Sequence, residues 1–255
     1  MGEVRHELAD GVLTATLADV ENRNALGATV VNGLHDAITR ANDDPAIRAV
    51  VVTNEGTTFC AGANLKEQSG AAKGARPKVG FEELLGLIQR SPTPILGKIK
   101  GHVVGGGNGL AAALDIAIAA DDVKFGFTEV RLGVAPAIIS VVCLPKMRRG
   151  DAMEAFLRGN RFPAAQAAEY GLISRAVPAE ELDAALDEVL ADLRLGGPTA
   201  LGFAKSLVYA VPDMEQKEAF AWTADLSQRL FRGEEAAAGM KAFLKREKPP
   251  WAESD

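Results

Sequence analysis

The residues of this sequence that could do chemistry are a glycine cluster and one carboxylate after it. Gly105-Gly106-Gly107-Asn108-Gly109-Leu110 follows the apolar stretch Pro94–Ile99 and runs into the apolar Leu110–Ala120. Glu129 follows, in Phe127-Thr128-Glu129-Val130. The order reads as strand, glycine loop, helix. N–H groups at such a loop and helix start lack intrahelical acceptors and favour negative charge. Together with a nearby acid they suggest a site that stabilises an oxyanion while a carboxylate shuttles a proton. Taken singly, a glycine triplet is as readily a tight turn, and a lone glutamate is usually a surface acid. Burial of Glu129 against Phe127 would raise its pKa and suit it to acid–base work.

The surrounding elements must place these groups. Val12–Leu17 alternates and reads as a half-buried strand. Val30, Val31, Leu34, Ala37, Ile38 and Ala41 recur at helical spacing, so an amphipathic helix is expected over Ala28–Asn42, ended by Asp43-Asp44-Pro45. Arg48–Thr53 reads as a buried strand and leads to a second glycine loop, Phe59-Cys60-Ala61-Gly62-Ala63-Asn64. Ser69–Gly80 has the composition of a mobile excursion, and Phe81–Gln89 reads as a helix. Strand, glycine loop and helix thus recur around Gly62 and Gly106. Adjacent parallel strands would bring the two loops side by side at their C-terminal ends, where open α/β sheets bind ligands. From about Ala179 onward only helices are expected: Glu180–Leu195, Thr199–Val208, Met214–Phe231 and Glu234–Arg246.

Composition narrows the classes. With 255 residues, 47% hydrophobic content and 26 glycines, the chain suits a globular α/β protein. A net charge of −6 disfavours a nucleic-acid binder. Cys60 and Cys143 have no metal-ligand spacing, and no metal site is expected. The N-terminus has no apolar signal region, and Leu110–Ala120, interrupted by Asp115, falls far short of the ~20 residues needed to span a bilayer, so a soluble, cytoplasmic protein with no membrane partner is expected. His6, His35 and His102 form no evident triad, and Gly-x-Ser-x-Gly is absent, which argues against a serine hydrolase. A dinucleotide fingerprint would need a third glycine where Leu110 stands.

Several motifs in order carry a family resemblance. Phe59-Cys60-Ala61-Gly62-Ala63-Asn64-Leu65-Lys66 resembles the first signature of the crotonase (enoyl-CoA hydratase/isomerase) superfamily, and Gly101–Leu110 resembles the second. Leu114–Ala120, Phe125–Gly133, Asn24-Ala25-Leu26 and Phe243-Leu244-Lys245-Arg246 also fit, so the resemblance covers nearly the whole chain. It implies an α/β fold, a spiral of ββα units over residues 1–178, with a C-terminal helical oligomerisation region over 179–255. It implies an acyl-CoA thioester as substrate, coenzyme A entering as part of it with no other cofactor, and a homotrimer or dimer of trimers. The N–H groups of Ala63 and Gly106 correspond to the family's oxyanion hole, and Glu129 to one of its catalytic glutamates. Arg23, Ala25, Ala61, Asn64, Leu65, Lys66, Gly105 and Gly109 are the substrate-binding positions it implies. Lys241, Lys245, Arg246 and Lys248 form a basic cluster that could reach the phosphates of coenzyme A, if it is not simply a solvated helix face.

The sequence also departs from the family pattern. Typical hydratases carry a second glutamate where this chain has Gly109. With Glu129 alone, one residue must take a proton from water and return one to the α-carbon. The Gly-Gly-Gly-x-Gly-Leu form with Thr-Glu-Val is similar to a subgroup of hydratases for branched or carboxylated enoyl-CoAs of the methylglutaconyl type. Enoyl-CoA hydration is therefore the leading expectation. Double-bond isomerisation by the same residues comes second, followed by acyl-CoA decarboxylation and non-catalytic acyl-CoA binding. Val134–Ser140 makes the wall after Glu129 bulkier and more apolar than in many members.

Overall fold

A computed structural model describes residues 2–64 and 77–252. Leu65, Lys66 and most of the Ser69–Gly80 excursion lie outside the described residues, as does any helix directly after Gly62. The described strands form two sheets. The larger has the order β1 (Val4–Ala9), β2 (Val12–Leu17), β3 (Ala49–Asn54), β5 (Ile95–Ile99), β7 (Ile116–Ala120) and β10 (Arg175–Val177). The smaller has the order β4 (Thr58–Cys60), β6 (His102–Val104), β8 (Lys124–Gly126) and β9 (Phe162–Pro163). Consecutive strands β3 and β4, β5 and β6, and β7 and β8 each place one strand in each sheet. After β6 the next described element is helix α3 (Gly106–Ala113), which completes a ββα unit. This is the expected spiral.

Hydrophobic patterning explains the main elements. Helix α1 (Ala28–Asp43) buries the residues at helical spacing predicted for it, and Leu34, Ala37 and Ile38 are fully enclosed. Every residue of β3 is buried, as expected of a central parallel strand covered on both faces. Helix α2 (Phe81–Arg90) buries Leu84, Leu85 and Ile88. Helices α4 (Ala137–Cys143), α5 (Arg149–Arg158) and α6 (Ala164–Glu169) precede β10, and after it the described chain is helical: α7 (Leu182–Leu195), α8 (Pro198–Ala210), α9 (Gln216–Phe231) and α10 (Glu234–Lys245). Leu186 and Leu190 of α7 pack with Val12, Ala49, Val51 and Leu96, so this helix covers one face of the larger sheet. No helix among the described residues is long and apolar enough to cross a membrane.

Three expectations are corrected. Leu110–Ala120 is not one helix: α3 ends at Ala113 and Ile116–Ala120 is a strand. The change falls at Asp115, whose carboxylate accepts the Ile95 N–H at 2.7 Å. The glycine triplet is not a loop ahead of the helix, since Gly106 and Gly107 are already its first turn. The strand leading to it is not Pro94–Ile99 but the short β6, in the second sheet.

Candidate active site

Strands β4 and β6 pair in parallel, with Thr58 against His102 and Cys60 against Val103. The glycine segments at their C-terminal ends therefore lie together, as the sequence pattern requires. The contact is close. Gly62 has φ +84°, and a Cβ there would stand 2.9 Å from the Gly106 nitrogen and 3.0 Å from the Val104 carbonyl oxygen. A Cβ on Gly107 would stand 2.6 Å from the Cys60 carbonyl oxygen. Only glycine allows the two backbones this approach.

The orientation of both candidate N–H groups is set from the other side of their peptide planes. Leu26 N–H donates to Gly62 O at 2.7 Å. A trans peptide points its N–H opposite its carbonyl, so the Ala63 N–H faces away from Leu26. The Gly105 carbonyl accepts from Asn108 N–H and from Asn108 Nδ2, both at 2.9 Å. Gly106 N–H is turned away in the same manner. A Cβ on Gly106 would stand 3.8 Å from the Ala63 nitrogen, so the two amides are neighbours. Neither N–H donates to an acceptor among the described residues.

Glu129 opens a 3-10 turn, Glu129–Leu132. Behind it Phe127 is fully buried and packs on Phe156 with ring centroids 4.5 Å apart. A Cβ on Gly105 would lie 3.5 Å from Glu129 Oε1. Oε2 of Glu129 is buried and has no hydrogen-bond partner among the described residues. Burial pushes the carboxyl above the ordinary glutamate value, against a smaller opposing hydrogen bond from its own backbone.

These groups share a cavity of about 350 Å³. Ala61, Ala63, Gly105, Gly106 and Glu129 line it, joined by Leu26, Phe81 and the apolar wall from Leu132 to Ile139. The expected bulky wall is thus present, and it continues into helix α4 (Ala137–Cys143). Among the described lining residues Glu129 is the one titratable group.

Other sequence-derived positions fall differently. Arg23 is outside the lining, and its carbonyl accepts Ala61 N–H at 3.1 Å, bracing the glycine loop. Ala25 is buried next to it and is also outside the lining. Asn64 is half-buried at the edge of the described segment. Gly109 does not line the cavity: Ile139 stands in front of it. The basic cluster of Lys241, Lys245, Arg246 and Lys248 is exposed on and after α10 and does not line the cavity.

Sequence reasoning missed Asn108, Leu26 and Ile139. Asn108 is fully buried, and its Nδ2 also donates to Gly126 O at 2.9 Å, tying α3 to β8. A polar residue inside an otherwise apolar helix was the available signal for it. The other two lie in segments already singled out, Asn24–Leu26 and Val134–Ser140, but their individual roles depend on contacts that the sequence does not show.

A larger cleft of about 660 Å³ contains Asp115, Lys205, Lys146 and Tyr209. Lys205 pairs with Asp115 at 2.8 Å and donates to Ile88 O at 2.8 Å. Burial moves the lysine pKa down and the aspartate pKa up, so desolvation outweighs their attraction. These charges answer one another and hold α8 to the core. Among the described residues no cluster could hold a metal ion.

The spiral of ββα units thus places two neighbouring amides, without acceptors among the described residues, beside the half-buried Glu129. A family model described as "Enoyl-CoA hydratase/isomerase" matches residues 7–254, and the chain belongs to that family. A protein of Mycobacterium bovis described as "Probable enoyl-CoA hydratase echA8" is 31% identical over 235 residues, covering 92% of this chain and 91% of that protein. The structure of Pseudomonas aeruginosa AtuE superposes with a TM-score of 0.90 at 31% identity, covering 98% of this chain and 99% of the other. An enoyl-CoA hydratase/isomerase from Marinobacter aquaeolei gives a TM-score of 0.89 at 29% identity with the same coverage.

Proposed function

We propose that this chain acts on an enoyl-CoA thioester through an enolate, with Ala63 and Gly106 N–H groups holding the thioester oxygen and Glu129 as the single acid/base. The observation that carries this reading is the buried Glu129 Oε2 in one cavity with two amides, none of the three having a hydrogen-bond partner among the described residues. Loss of an α-proton places negative charge on the thioester oxygen. Preorganised donors in a water-poor site stabilise that charge, each by about 3–4 kcal/mol. Coenzyme A enters as part of the substrate, with the backbone from Ala61 to Asn64 along its pantetheine arm. No other cofactor is required by this chemistry.

Hydration is the reaction that the relatives' names support. Glu129 would take a proton from water as the water oxygen bonds to the β-carbon, and return a proton to the α-carbon. Double-bond isomerisation is the second reading. It is favoured by the apolar lining, in which no described residue besides Glu129 is titratable. Self-association is supported by Phe243 and Leu244, each 82% exposed at the end of α10; a trimer or dimer of trimers is the form that the family resemblance implies.

Glu129→Gln tests the assignment on both crotonyl-CoA and a 3-enoyl-CoA. Proton transfer by a placed side chain contributes ~10²–10⁴-fold, so losses of that order are expected. Unchanged turnover of both substrates rejects Glu129 as the acid/base. Tight binding of coenzyme A with no turnover of any enoyl, carboxy-enoyl or malonyl-type thioester would identify a binder instead.

A further inference from the structure

The empty position at Gly109 is not an opening. A Cβ built on Gly109 would stand 2.6 Å from Ile139 Cβ and closer still to Ile139 Cγ2. Helix α4 is therefore pressed onto α3 so tightly that residue 109 has no room for a side chain. Gly109 lies one turn after Gly105 and Gly106 on the same helical face, and side chains on a helix lean towards its N-terminus. A side chain at 109 would lean towards the amide pair. Ile139, only 3% exposed, stands there and lines the cavity. Its neighbours Ile138, Ala137, Pro136, Ala135 and Val134 extend the same apolar wall.

We propose that Ile139 is the residue that sets the reaction outcome: it fills the place a second acid would need and keeps this wall dry, so that double-bond migration prevails over water addition. The inference rests on Glu129 being the acid/base, and it takes the second of the two reactions given above, isomerisation, over hydration. In the favoured path Glu129 takes the α-proton of a 3-enoyl thioester. The C–H electrons form the enolate, whose oxygen is held by the two amides. The enolate then collapses: C=O reforms, a new double bond forms between the α- and β-carbons, and the old β,γ-double bond takes the proton from Glu129 at the γ-carbon. No water is consumed. Hydration would need a water positioned at the β-carbon, and the sec-butyl side chain of Ile139 offers it no hydrogen bond.

The test compares isomerisation of a 3-enoyl-CoA with hydration of the matching 2-enoyl-CoA, as kcat/KM, in four proteins. The wild type should isomerise at least tenfold better than it hydrates. Ile139→Thr, which keeps a branched side chain but adds a hydroxyl, should lower that ratio at least tenfold, with an absolute gain in hydration. The pair Gly109→Glu with Ile139→Gly, which makes room for the carboxylate, should raise hydration further. Should that pair fail to fold, Ile139→Thr alone decides. A wild type that hydrates as fast as it isomerises, or an Ile139→Thr ratio equal to that of the wild type, overturns the proposal. Glu129→Gln separates the two assignments. If it abolishes turnover while the Ile139 ratio is unmoved, only the role of Ile139 falls. If it leaves turnover intact, the acid/base reading falls with it.

Discussion

Gly62→Ala puts the closest contact of the site to the test. Gly62 has φ +84°, and the left-handed region costs an L-residue about 1–2 kcal/mol. A methyl there would meet backbone atoms, the Gly106 nitrogen at 2.9 Å and the Val104 oxygen at 3.0 Å, so it cannot be relieved by turning a flexible side chain. Either the Ala61–Ala63 segment or the first turn of α3 must shift. In both cases the Ala63 and Gly106 amides lose their common focus. Losing one such donor costs about 10²–10³ in kcat. The expected result is a fall in kcat of roughly 100-fold or more. Because the contact strengthens only as the enolate forms, KM should change little. Gly11→Ala is the control. Its φ is +73°, so it carries the same backbone penalty, but it sits in the β1–β2 turn. It should lose about 1–2 kcal/mol of stability with near-normal kcat. Steady-state turnover of a 2-enoyl-CoA and a 3-enoyl-CoA, alongside urea unfolding, reads both quantities. Gly62→Ala with kcat within threefold of wild type on both substrates would refute the convergence of these two amides as the source of catalysis.

Four further outcomes follow from the structure. The carboxyl of Glu129 is raised by burial, and its base form is lost as pH falls through that raised value, so the acid limb of kcat/KM should lie above the ordinary 4.5 of glutamate. The stability sign is opposite: the fold penalises the charged form, so Glu129→Gln should stabilise the protein at neutral pH, with the gain vanishing as pH drops below the limb, in denaturation measured against pH. Asn108→Ala removes the donor to Gly105 O and Gly126 O, and should cost about 1–3 kcal/mol in urea unfolding and lower kcat more than it raises KM. Lys205→Met strands Asp115 in a site where the two side chains are only 8% and 16% exposed, and a loss of about 3–5 kcal/mol is expected, partly recovered by adding Asp115→Asn.

The legible parts of the sequence were those with local causes. Helix α1 announces itself by apolar spacing, and β2 by alternation, because each buries one face. The split of Leu110–Ala120 was hidden, since a fully buried helix and a fully buried strand are both simply apolar. Strand β1 was missed because most of its residues are exposed at the sheet edge, and β8, β9 and β10 because they are two or three residues long. Too short a run shows no period.

At the site the division is the same. Gly62, Gly106, Gly107 and Glu129 are fixed by residue type: only glycine lets two backbones meet at these distances, and the motif order ties the carboxylate to them. The sequence alone therefore determined the family, the paired amides and the identity of the candidate base. It could not show that Leu26 and Asn108 aim those amides, that burial leaves Glu129 Oε2 without a partner, or that Ile139 occupies the space in front of Gly109. Each of those depends on how closely segments distant in the chain pack. That distance is set by the joint fit of helices α3 and α4 and the two sheets, and no local pattern encodes it.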